Sequence, residues 1–185
     1  MLDNPYASSF GIKEVSMLRM RLTGCWRLMV LCGAVMMVLS GCGHDGAGSS
    51  DMMSWDQANA EYRTTVERFP FDLPDGDDFP ERIQSASNPD QLYQKGWGEG
   101  QAYFYWMCAV ERRTIDTVRS SPDMSRQWAE TLGQVLDTSW FRTYYQDTDG
   151  TFANDVVSKA ELGDVSVMSQ FYDSDCAWYR QVNGL

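Results

Sequence analysis

The chain has 185 residues, carries 26 acidic against 15 basic side chains and a single histidine, and has a formal charge of −11 at neutral pH. That balance argues against binding nucleic acid or lying flat on anionic lipid, both of which favour basic surfaces. Disorder is excluded for most of the chain by 24 aromatic residues, seven of them Trp, enough large apolar surface to build a core at roughly 1.5–3 kcal/mol per buried side chain.

The first element is a leader. Arg19, Arg21 and Arg27 precede an uncharged apolar run, Leu28 to Leu39, which passes into Ser40, Gly41 and Cys42. As a helix that run spans roughly 18 Å, short of the ~30 Å hydrocarbon core of a bilayer, so it predicts an export signal over residues 1–41 rather than a permanent span. Translation from Met17 or Met20 would leave the same signal intact. The tetrad Leu39–Cys42 resembles the lipobox of bacterial lipoproteins. The resemblance implies that Cys42 is joined to diacylglycerol, becomes the mature N-terminus and is often N-acylated, placing the protein on the extracytoplasmic face of a bacterial membrane. Beyond this motif the mature part resembles small actinobacterial lipoproteins, and that likeness implies no activity.

Residues 42–185 hold 11 basic and 24 acidic residues, a formal charge of −13. Residues 42–54, rich in Gly and Ser and containing His44, predict a flexible tether, and 55–185 predict one domain. With Cys25 and Cys32 in the signal and Cys42 lipidated, Cys108 and Cys176 remain. In an oxidising compartment an even pair invites a disulfide; the alternative is two buried free thiols.

In the folded part Ser54 and Gln57 form a capping-box pattern, and Trp55, Ala58, Tyr62, Val66 and Phe69 share one helical face, predicting a helix over 55–69 ended by Pro70. The stretch Pro70–Pro80 is excluded from regular structure by its prolines. Its Asp72, Asp75, Asp77 and Asp78 offer oxygen ligands for a hard cation or simply a solvated acidic loop, and the latter is the expectation. Asn88 and Pro89 predict the start of a long central helix running to about Arg119. On it Gly96, Gly100, Phe104 and Cys108 form one stripe. The glycines either let another helix approach closely or floor a groove beside Trp97, Glu99, Tyr103 and Trp106; close packing is the favoured reading.

Ser121 and Pro122 start a third helix with Met124, Trp128, Leu132 and Val135 along its face. Apolar spacing continues at Phe152, Val156 and Ala160. Val165, Met168 and Tyr172 then suggest a last helix, although Val165 and Val167 also permit a short strand. Trp178 and Tyr179 are expected near Cys176. The whole predicts an all-α fold, a small helical bundle with a long central helix.

Between the third and last helices, Asp147–Phe152 matches the DxDGT loop of the haloacid dehalogenase superfamily over six residues. Too few residues follow for the rest of that fold. An EF-hand alignment loses both end ligands, at Tyr145 and Val156. An acidic turn capping a helix remains. No catalytic residue, metal site or cofactor motif is assigned. The function expected is a non-catalytic binding domain at the cell envelope, with an envelope protein or glycan as partner. The alternative is a carboxylate-dependent enzyme acting on envelope glycans, with Glu99 or Glu111 as the acid.

Overall fold

The computed structural model describes residues 52–84 and 90–185. The leader, Cys42, His44 and the helix start at Asn88 and Pro89 lie outside the described residues.

The order is β1 (Met52–Met53), α1 (Trp55–Val66), β2 (Tyr93–Gln94), α2 (Trp97–Thr117), α3 (Pro122–Gly133), a 3-10 turn (Gln134–Asp137), π-helical segments at Phe141–Tyr145 and Phe152–Ser158, α4 (Lys159–Glu161), α5 (Ser166–Asp175) and α6 (Ala177–Val182). This is the expected all-α fold with one small addition. The strands β1 and β2 pair antiparallel, Met52 opposite Gln94 and Met53 opposite Tyr93. Met52, Met53 and Ser54, which the sequence assigns to the tether, therefore belong to the folded body.

The first helix starts as its sequence dictates. Ser54 Oγ accepts from Gln57 N at 3.3 Å, and Gln57 Oε1 accepts from Ser54 N at 2.8 Å, so two otherwise orphaned donors are satisfied. The helix ends at Val66, one turn before Pro70, and Phe69 turns into the core against Tyr103 and Phe79.

The central helix is shorter than the sequence suggests: it begins at Trp97, not near Asn88, because Tyr93 and Gln94 are taken by the strand pair. Gly96 caps it at φ +89°, a left-handed conformation that side chains resist. Helix α2 packs against α1 on one side and α3 on the other, and core clusters form on its different faces. The largest joins Trp106 and Val110 to Leu132, Trp140, Phe152, Val156 and Met168. A second joins Ala102 to Ala58, Tyr62, Ile83 and Tyr93. The third joins Tyr105, Cys108 and Ala109 to Cys176 and Tyr179, as the sequence expects for the last aromatics.

The inward face of α3 keeps Leu132 of the predicted stripe but is shifted toward Ser125 and Ala129 at its start. Ser125, Ala129 and Leu132 are buried, while Met124 is 47% exposed. The reason is polar: Ser125 Oγ donates to the Thr114 carbonyl of α2 at 2.8 Å, inside the core. The C-terminal segment is helical from Ser166, so the strand option at Val165 and Val167 is not taken. Among the described residues no helix is long and apolar enough to cross a membrane.

Candidate functional site

Cys108 and Cys176 are joined as a disulfide, Cα atoms 5.6 Å apart, across 68 residues of sequence. Cys108 lies on α2 one turn before Glu111, and Cys176 is the residue between α5 and α6. The Glu111 carboxyl and the two sulfurs all lie within 4.8 Å of one another. Joined to each other, the sulfurs present no thiolate to a metal.

A cavity of about 10 Å³ opens beside them, lined by Phe104 and Met107 of α2, Tyr145, and Phe171 and Asp175 of α5 as well as by the three residues themselves. That volume is about the least that holds one water. Glu111 is only 3% exposed, and its Oε2 lies 3.5 Å from Cys176 Sγ. An oxidised sulfur carries no proton to donate, so what the geometry gives is a close contact of a buried carboxyl oxygen with a disulfide sulfur. Burial pushes the Glu111 pKa well above the usual carboxylate range, and the nearby Asp175 charge pushes the same way. Tyr145, which also lines the cavity, is likewise raised, by burial first and then by Glu111 and the neighbouring aspartates.

No protein-family model, curated protein or solved structure matches this chain. Any chemistry assigned to the cavity therefore rests on its own residues.

The structure separates the four residues of the proposed aromatic groove. Trp106 is fully buried and its Nε1 donates to the Asp72 carbonyl at 2.9 Å. Tyr103 is buried and stacks on Trp140, ring centres 4.5 Å apart. Trp97 is half-buried against Tyr93. Glu99, also half-buried, has its pKa raised by burial and then by Glu61. Tyr103 and Trp106 are core residues, so the favoured packing reading of the glycine stripe fits better than a groove beside all four. The glycines serve that packing. A Cβ on Gly98 would come within 2.1 Å of the Ala58 carbonyl oxygen on α1, so Gly98 marks a close approach between the helices. Gly100 faces Trp140.

The Pro70–Pro80 loop is held at several points by partners on α2 and α6. Asp77 is buried, and its Oδ1 accepts from the Tyr179 hydroxyl at 2.7 Å while Arg113 lies 3.8 Å from Oδ2. Asp72 and Asp78 accept through their backbone carbonyls, from Trp106 Nε1 and the Tyr105 hydroxyl. Arg113 also donates to the Asp75 carbonyl. The loop is a clamp over α2.

The DxDGT stretch is a helix cap. Asp147 accepts from Phe152 N at 3.1 Å and from Ala153 N at 3.0 Å, one oxygen for each. Asp149 accepts from Thr151 N at 3.3 Å, a bond that holds its carboxyl below the usual range. Gly150 takes the left-handed backbone between them. Both carboxylates are thus engaged with the backbone of the segment they start. Sequence reasoning found Glu111 and the cysteines separately but not their meeting. The i, i+3 spacing of Cys108 and Glu111 was legible; the arrival of Cys176 from 68 residues away was not.

Proposed function

We propose that this protein is an exported lipoprotein, anchored through Cys42 on the extracytoplasmic face of a bacterial membrane, whose acidic helical domain is a non-catalytic binding module for an envelope protein or glycan. The observation that carries the reading is the Cys108–Cys176 disulfide in the folded body. Such a bond persists in oxidising compartments outside the cytoplasm, which is where the basic, apolar and lipobox-like leader would send the chain.

The glycan-enzyme alternative needs two carboxyls flanking a sugar ring, roughly 5–9.5 Å apart. Glu111 and Asp175 share a cavity, but its volume suits one water and not a sugar. Binding through the outer surface of an acidic domain fits better.

Intact mass spectrometry of the protein from its native membrane, beside a Cys42→Ala version, tests the reading. The expected result is a diacylglyceryl adduct on a chain beginning at Cys42, lost in the variant. An unmodified chain beginning upstream of Cys42 would sink it.

A further inference from the structure

We propose that the Cys108–Cys176 pair is a reversible redox centre, reduced by a dithiol, and that Glu111 is its proton donor. A disulfide buried for stability alone has no need of a buried carboxyl against one sulfur. Burying such a group costs free energy unless it is well bonded, and the contact found for Glu111 is with Cys176 Sγ at 3.5 Å. The cavity beside it supplies the second half of the argument: space for a water at the carboxyl and the sulfurs, bounded by Tyr145 and Phe171.

The step balances as follows. A thiolate of the dithiol attacks Cys108 Sγ and forms a mixed disulfide; the Cys108–Cys176 bond breaks, and its electron pair leaves on Cys176. Cys176 takes the proton of Glu111. The reductant's second thiol gives its proton to the Glu111 carboxylate and displaces Cys108, closing the reductant's own disulfide. Cys108 is protonated from water. The dithiol loses two electrons, the protein pair gains them, and Glu111 ends as it began. Cys176 is the leaving sulfur because Glu111 lies against it.

The groups facing Glu111 support a proton held in place. Asp175 of α5 and Tyr145 border the cavity with it, and Asp175 disfavours ionisation. The adjacent cation, Arg112, is turned away to Asp116 and the Tyr179 hydroxyl, 3.4 Å from each. Both sulfurs are nearly covered, so a dithiol enters through local opening of the Tyr145 and Phe171 wall rather than through global unfolding.

The test uses the full lipid-anchored chain in detergent. Reduction by dithiothreitol is followed by quenching with an alkylating agent and weighing the product, over a pH series and several reductant concentrations. The rate is expected to rise in proportion to reductant, and the rate divided by the thiolate concentration is expected to fall about tenfold per pH unit once Glu111 ionises. In Glu111→Gln it is expected to be roughly 10²-fold slower at low pH and level across the series, the size of a lost general acid. A level profile in the unaltered protein overturns the proposal, and so does a rate independent of reductant concentration, which means reduction only through unfolding. The unaltered protein alone decides, whether or not the variant folds. The outcome does not depend on whether Cys42 carries lipid.

Discussion

Glu61 gives its carboxylate to another helix. It accepts from Gly96 N at 3.0 and 3.1 Å, from Gly98 N at 2.9 Å and from Glu99 N at 3.4 Å. Helix α2 needs this, because its cap Gly96 has no side chain and the first amides of a helix lack partners within it. A negative charge at this end also meets the positive end of the helix dipole. Hydrogen bonds to charged groups contribute about 1.5–3 kcal/mol, so Glu61→Ala is expected to cost about 2 kcal/mol in urea unfolding at neutral pH, with Glu61→Gln intermediate. Glu99, whose carboxyl Glu61 helps to raise, should then titrate lower by NMR. An unchanged unfolding midpoint would mean that α2 starts without Glu61. Sequence could not have found this cap, since the partners are 35 to 38 residues apart. The box at Ser54 and Gln57 was legible because both members lie within one turn.

At the scale of elements, the contact between α1 and α2 rests on the missing side chain of Gly98. A methyl there would meet the Ala58 carbonyl oxygen at 2.1 Å and Tyr62 N at 2.9 Å, both backbone atoms that cannot swing aside. Gly98→Ala is expected to destabilise by about 3 kcal/mol, the upper end of overpacking costs, despite the better helix propensity of alanine. Gly100→Ala is the contrast: its methyl would stand 3.4 Å from Trp140 Nε1, near ordinary contact, and should be neutral or stabilising by up to about 1 kcal/mol. Equal losses in urea unfolding would show that the α1 contact is not special. Apolar periodicity marked α1, α3 and α5, each of which buries one face, whereas α2, buried on several faces, stood out by its apolar content and length. Periodicity misplaced what hydropathy does not encode. The start of α2 was lost to a two-residue strand pair, and the face of α3 turned on Ser125, a polar residue buried for its bond to Thr114. The π-helical segments at Phe141–Tyr145 and Phe152–Ser158 carry an extra residue per turn, which breaks the 3.6-residue period used to find helices.

For the molecule as a whole, the disulfide decides how firmly the C-terminal end is held. It ties Cys176, between α5 and α6, to the middle of α2, where Tyr105 and Tyr179 pack around it. Beyond the sulfur, Tyr179 bonds to Asp77 and Arg112, Asn183 donates to the Tyr105 hydroxyl at 3.0 Å, and Trp178 packs against Tyr62 and Tyr105. Pairing was legible by counting cysteines, whereas the carboxyl beside the pair was not, because proximity in a fold is not written in spacing. Closing a 68-residue separation removes about 4 kcal/mol of chain entropy from the unfolded state. A Cys108→Ala/Cys176→Ala double variant should therefore lose about 4 kcal/mol in urea unfolding. Its denaturant slope should rise, as the uncrosslinked chain expands further when it unfolds. Because that loss falls on the unfolded state, the far-ultraviolet circular dichroism of the folded variant should match the parent. A midpoint near the parent's would mean that Tyr179, Asp77 and Asn183 hold the C-terminal helices unaided, and the bond would then be left with redox chemistry as its role.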